Sequence, residues 1–214
     1  MCIRDSRGRG RFHSPALLAA VALSWTAPGA ATQEFHVDTD SPRSVVFISS
    51  ATLDEFEGVT DRIDGFVLLD GDGVRAATDL PGSRIYFEVH LASLDTGISL
   101  RNRHMRENYL EVEAYPYATF DAGVDRIEAS GDGGFRVVAT GAFTAHGVSR
   151  ERTLTCGAVP HGDGYRVRCA FSVHLQDHDI EIPRIMFMKL APEVRLELAF
   201  RLRPAPPTDR EMPA

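Results

Sequence analysis

The chain has 214 residues, 43% of them hydrophobic, enough to bury one sizeable core in one or two domains. Lys and Arg total 23 against 30 Asp and Glu, a net charge of −7; Arg4, Arg7, Arg9 and Arg11 against Asp5 give the segment through Ala31 a charge of +3, so the rest stands at −10. A surface that acidic argues against nucleic acid, and against anionic lipid headgroups, as electrostatic partners.

The first element is a leader. Arginines up to Arg11 precede the apolar run Ala16 to Trp25, and the small residues Ala27-Pro28-Gly29-Ala30-Ala31 follow. This three-part pattern predicts a signal peptide over 1–31, cleaved after Ala31, and a periplasmic or secreted protein. The run is shorter than the ~20 residues of a spanning helix, and no other segment is long enough, so no transmembrane segment is expected in the mature chain. An amphipathic anchor or a first core helix is the alternative, against which the run shows no polar face. Met1 to Ser6 fits the start of a signal poorly.

From Phe35 onward the hydrophobic period is two. Ile85, Phe87, Val89 and Leu91 alternate with Arg84, Tyr86, Glu88 and His90, and Val194, Leu196, Leu198, Phe200 and Leu202 alternate with Arg195, Glu197, Ala199, Arg201 and Arg203. Each set is one dry face of a strand. Weaker alternation predicts strands over 44–50, 63–69, 117–124, 135–143, 152–159 and 165–175. Turn residues separate them at Asp70 to Gly73, Pro81-Gly82, Ser130 to Gly134 and His161 to Gly164. About eight strands joined mostly by short turns predict an up-and-down antiparallel architecture in one domain. Alternation leaves barrel and sandwich equally open, and it does not say whether the dry face encloses a cavity or a filled core.

The connection between the strands at 84–91 and 118–125 is the one helical stretch. Asp95 or Thr96 can cap it, and Ile98, Met105, Tyr109 and Val112 recur at roughly helical spacing. This predicts a short amphipathic helix with those residues against the sheet and Arg101, Arg103, Arg106 and Glu107 in water, ended by Tyr115-Pro116. Such a helix would close one end of the β structure as a lid.

Two cysteines follow the leader's Cys2, Cys156 and Cys169. If Gly162-Asp163 is a two-residue hairpin loop, His161 faces Gly164 and Cys156 falls opposite Cys169. The same register puts Pro160 opposite Tyr165 at a non-hydrogen-bonded position, where its missing N–H is harmless. A Cys156–Cys169 disulfide is therefore expected, the alternative being two buried thiols. The proline-rich segment 204–214 reads as a disordered tail.

Motifs for chemistry are scarce. The chain has no phosphate-binding glycine loop, His-Glu-x-x-His, Cys-x-x-Cys or nucleophile elbow. His104, His146, and His174 and His178 with Asp177 and Asp179 nearby are the groups to watch, but their spacing is of no recognised metal-ligand type. No catalytic residue, metal or required cofactor is expected.

The segments Val37-Asp38-Thr39-Asp40-Ser41, Leu94-Asp95-Thr96-Gly97, Arg101 to Arg106, Tyr115-Pro116-Tyr117-Ala118-Thr119-Phe120 and Gly141 to Arg150 together resemble the YceI-like polyisoprenoid-binding family over 34–203. Asn102 stands where that family commonly has an aspartate, Leu175 where it has an arginine, and His178-Asp179 where it has Phe-Gly. The resemblance implies an all-β, eight-stranded antiparallel lipocalin-like barrel with a short helix near one end. It also implies a long apolar cavity for a polyisoprenoid or the tail of a quinone.

On this reading Ile85, Phe87, Val89, Leu91, Phe120, Phe143, Phe171, Leu198 and Phe200 form the ligand-binding inner face. Arg101, His104 and Met105 belong to the lid, where His104 or Arg101 would hydrogen-bond a polar headgroup. The second reading is a small periplasmic enzyme using His104 with carboxylates, or the His174/His178 group, at the cavity mouth. It requires three or more such groups to converge. Whether two chains pair as a homodimer, across an exposed edge or the lid, is left open by the sequence.

Overall fold

The computed structural model describes residues 32–205 apart from 52–54, 72–73, 79, 132, 183 and 186–187. The leader and 206–214 therefore lie outside the described residues. Twelve strands are assigned: β1 (Thr32–Val37), β2 (Ser44–Ala51), β3 (Glu55–Thr60), β4 (Ile63–Asp70), β5 (Ala77–Thr78), β6 (Arg84–His90), β7 (Tyr117–Ala129), β8 (Phe135–Ala145), β9 (Val148–His161), β10 (Gly164–His174), β11 (Arg184–Ile185) and β12 (Met188–Pro204).

Neighbours follow the order β1-β4-β6-β7-β8-β9-β10-β12, and pairing of β1 with β12 closes this path into an eight-stranded antiparallel barrel. The 17-residue β12 pairs with β10 along one edge. Along its other edge it pairs first with β2 and then with β1. β1 and β2 are thus two halves of one kinked stave. β3 and β4 form the next, since β3 pairs with β2 and β4 with β1.

Asp38 fixes the kink. Its amide donates to the Arg201 carbonyl at 2.8 Å, and its carboxylate accepts from Ser41 Oγ at 2.6 Å and Arg201 Nη1 at 2.8 Å. This gives the Val37 to Ser41 motif its physical reason: a buried carboxylate satisfied by three donors where two half-strands change direction. The Ser41 hydroxyl first, then the Asp40 amide and the charges of Arg201 and Arg203, hold the Asp38 carboxyl below its ordinary pKa against the opposing effect of burial.

The β9–β10 register is the one expected: His161 faces Gly164, Pro160 faces Tyr165, and Cys156 faces Cys169. The two cysteines are disulfide-bonded with Cα atoms 4.5 Å apart, the spacing of a non-hydrogen-bonded pair.

Other boundaries differ from the sequence reading. β12 begins six residues before Val194, with a register shift between Leu190 and Val194 where Ala191 and Pro192 interrupt the ladder. It also runs through Pro204, and the Ala205 amide donates to the Glu34 carbonyl, so the expected tail loses its first two residues to the sheet. β3 was not expected at all. Its Gly58 sits over Phe47, where a Cβ would lie 2.1 Å from the ring, so the residue that makes the strand fit is also the one that breaks its alternation.

Candidate ligand cavity

The inward positions of the staves surround a cavity of about 170 Å³. Its wall runs from Leu91, Leu94 and Phe47 at one end to Val74, Ile127 and Tyr165 at the other. On β10 alone the wall takes Tyr165, Val167, Cys169 and Phe171. The six residue steps from Tyr165 to Phe171, at ~3.3 Å each, make this a tube about 20 Å along the strand. Among the described residues Tyr165 brings the one side-chain hydroxyl to the wall, since Thr119 alternates with the inward Ala118 and Phe120 and turns its side chain out, and no charged residue lines it. A guest there would find dispersion contacts and almost no hydrogen-bond partners, which selects for hydrocarbon.

All nine residues expected on the inner face line this cavity: Ile85, Phe87, Val89, Leu91, Phe120, Phe143, Phe171, Leu198 and Phe200. The sequence reading missed the contribution of β2, whose Val45 and Phe47 also face in. The disulfide too belongs to the wall, because Cys156 and Cys169 lie on the inward faces of β9 and β10. Inside, the Phe87 and Phe200 rings meet edge to face with centroids 5.0 Å apart, joining β6 to β12 across three strand positions. Gly65 faces Phe87 across the sheet at φ 146°, and a Cβ there would lie 2.1 Å from the Tyr86 carbonyl oxygen. Gly58 and Gly65 thus allow two cavity phenylalanines their positions.

The connection after β6 differs from expectation. Its α-helix, α1 (Ser99–His104), spans only six residues and continues as a π turn over Met105–Tyr109 rather than as one helix to Val112. Asp95 does not cap it. The Asp95 carboxylate instead accepts from the Gly97 amide and Asn102 Nδ2, while Asn102 Oδ1 accepts from the Thr96 amide and hydroxyl. Asn102 first, then the Gly97 amide and the Arg106 charge, lower the Asp95 pKa. The asparagine in place of the family's common aspartate is therefore a working hinge pin, donating to one carboxylate and accepting from Thr96.

The sides of the helix are partly exchanged: Met105, Tyr109 and Val112 are half-buried and Arg103 and Glu107 exposed, as expected, but Ile98, Arg101 and Arg106 change places. Arg101 turns inward to donate to Thr96 Oγ1 and O at 2.9 and 2.7 Å, its guanidinium 4.4 Å from the Phe56 ring centre. Arg106 donates to the Leu94 carbonyl at 2.7 Å. Ile98 and Leu100 face solvent, 53% and 54% exposed. Free carbonyls at the turn out of the barrel attract guanidinium more strongly than a six-residue helix can bury an apolar stripe. Consequently Arg101, His104 and Met105 are not part of the cavity wall, and His104 is exposed.

None of the groups watched for catalysis lines the cavity. His178 is fully buried, its Nδ1 2.8 Å from the Val148 carbonyl and its ring edge-on to Phe143. His174 is exposed, Asp177 pairs with Arg152 at 3.6 Å, and His146 Nδ1 lies 3.2 Å from the His178 carbonyl. Asp179, in the place of the family's common glycine, has φ 55°, the left-handed conformation glycine adopts most easily. Among the described residues no three His, Cys, Asp or Glu converge as metal ligands would.

With this geometry established, the sequence profile of the YceI-like domain matches residues 35–202. Two solved structures share the fold. BcnA of Burkholderia cenocepacia is 17% identical with a TM-score of 0.59, the alignment covering 77% of this chain and 98% of that one. A polyisoprenoid binding domain from Saccharophagus degradans, implicated in plant cell wall breakdown, is 16% identical with a TM-score of 0.60, covering 80% and 98%. No curated protein matches significantly.

Proposed function

The chain belongs to the YceI-like domain family, and on that premise we propose that it binds a long apolar chain, a polyprenyl lipid or the tail of an isoprenoid quinone, inside its barrel without transforming it. The observation that carries this reading is the hollow, uncharged interior between β6 and β12. A closed eight-stranded barrel can be filled by its own side chains or hold one guest, and here a connected void remains. Each methylene moved from water into such a void is worth ~0.8 kcal/mol, so a few isoprene units offset the cost of ordering a flexible chain. The solved domain from Saccharophagus degradans, described as polyisoprenoid binding, supports the same ligand class.

The void is narrow as well as long. At about 170 Å³ it is close to the ~150 Å³ of an engineered apolar cavity that admits benzene, so a chain of many carbons must displace side chains as it enters. Flexible aromatic rings that meet inside the tube, such as Phe87 and Phe200, are the residues that would turn. Export to an oxidising compartment is part of the proposal. It is supported by the Cys156–Cys169 disulfide and by the leader pattern.

The test is a titration of isoprenoid alcohols of increasing chain length, with a tail-bearing quinone alongside, by displacement of a fluorescent fatty probe. Affinity that rises with chain length until the tube is full supports the proposal. No displacement by any chain would mean that the interior is a loosely packed core.

A further inference from the structure

The connection that borders the cavity turns Arg101 and Arg106 in and Ile98 and Leu100 out. Three arginines stand between Gly97 and Glu107 with no carboxylate among them, on a chain that is otherwise acidic. Two of them, Arg101 and Arg106, spend their hydrogen bonds on the protein's own Thr96 and Leu94. The third, Arg103, is exposed and has no hydrogen-bond or ion-pair partner among the described residues. Near it in sequence, Ile98 and Leu100 are, among the described residues, the two most exposed large hydrophobic residues, 53% and 54%. Val59, 38% exposed, is bridged by its backbone to Asp95 at the start of the same connection. Leu91 and Leu94, at the root of the same segment, line the cavity.

We propose that α1 docks the protein on a phospholipid bilayer, with Ile98 and Leu100 inserted at the headgroup boundary and Arg103 on the lipid phosphates. Ile98 and Leu100 point away from the barrel, while the half-buried Met105, Tyr109 and Val112 and the bonds of Arg101 and Arg106 hold the segment to it. Exposed apolar side chains with a basic residue close in sequence are the chemistry that lets a surface segment enter a bilayer interface, weakly here because the apolar area is small. A second copy of the chain fits less well. An isologous contact would oppose Arg103 to its own equivalent. The patch also offers a few side chains, against the roughly 800 Å² per partner of a standard protein interface. The net negative charge keeps the rest of the surface off an anionic bilayer, so contact through this end is oriented, bringing the Leu91–Leu94 end of the tube to the membrane.

The inference rests on the proposed lipid ligand only for its purpose, and the experiment separates the two. Mature protein starting at Thr32 is floated with phosphatidylcholine vesicles, with and without phosphatidylglycerol, and compared with the Ile98→Ser/Leu100→Ser and Arg103→Glu variants. Thermal unfolding and light scattering serve as controls. Wild type should float. The double variant should partition roughly tenfold more weakly on both vesicles, with its melting temperature and its binding of isoprenoid alcohol in solution unchanged. Arg103→Glu should lose binding mainly on the phosphatidylglycerol vesicles. Wild type that does not float, a double variant that floats as well as wild type, or a wild-type dimer that the double variant converts to monomer would each overturn the docking proposal. Failed alcohol binding with intact flotation would count against the ligand instead, leaving the docking in place.

Discussion

Phe87 on β6 and Phe200 on β12 meet edge to face inside the barrel, 5.0 Å between ring centres, although three strand positions separate them around the wall. Both rings line the cavity, so their size should bear on which chains fit. Phe87→Leu should cost about 1 kcal/mol of stability and shift the preference toward longer or branched chains, because it removes one of the two rings. Thermal unfolding with the chain-length titration checks this. Affinity that falls equally for every chain would mean that the ring contacts ligand rather than limiting it.

Val89→Phe probes the void itself. Val89 lines the cavity and is only partly buried, so an added ring has space to occupy. Stability should stay within about 1 kcal/mol of wild type, whereas overpacking a filled core costs about 1–3 kcal/mol. Binding of long chains should fall more than that of short ones, as read in the same titration.

The alternation of Ile85 to Leu91 and of Val194 to Leu202 made the barrel wall legible, because each inward residue is one side of a period-two pattern. The Cys156–Cys169 pair was legible for a related reason: a tight turn fixes register, and register fixes partners. The α1 segment was not. Its Arg101 and Arg106 satisfy the Thr96 and Leu94 backbone, and a helical pattern read alone assigns arginine to water. Nor was β3, since the reason for Gly58 is the Phe47 ring on the neighbouring strand. The void could not be read either, because inward apolar residues look the same whether or not they touch across the lumen.

His104→Ala separates the expectation from the observed position. His104 is exposed on α1 and absent from the cavity wall, so the substitution should leave both polyprenyl and quinone binding within about twofold. A selective loss of quinone binding would mean that the connection folds over the tube when ligand is present.

Asp38 couples the fold to acid. Its folded pKa lies below the ordinary value, so its contribution to stability is complete above the unfolded carboxylate's ~3.9 and is lost as pH falls through the folded value. Asp38→Asn should destabilise the barrel by about 2 kcal/mol at neutral pH, by weakening the buried bonds to Ser41 and Arg201. It should also flatten the acid limb of stability below that range. Denaturant unfolding across pH measures both, and an unchanged acid limb would assign it to other carboxylates.

Closing 13 residues of separation, the Cys156–Cys169 disulfide should contribute at most about 3 kcal/mol. Reduction should therefore lower the melting temperature without unfolding the barrel, whose ladder on both sides of β9 and β10 is intact. Circular dichroism with and without reductant checks this. Thiol labelling of denatured, unreduced protein starting at Thr32 should find no free thiol.

The most direct measurement is native mass spectrometry of the protein purified without detergent from the envelope of its own cells, followed by organic extraction and identification of what is released. The account predicts a population heavier than the apoprotein by one isoprenoid lipid, depleted in Val89→Phe, with a mature chain that begins near Thr32. Protein of apoprotein mass alone, whose extract holds no isoprenoid and whose stability collapses on Val89→Phe, would contradict it.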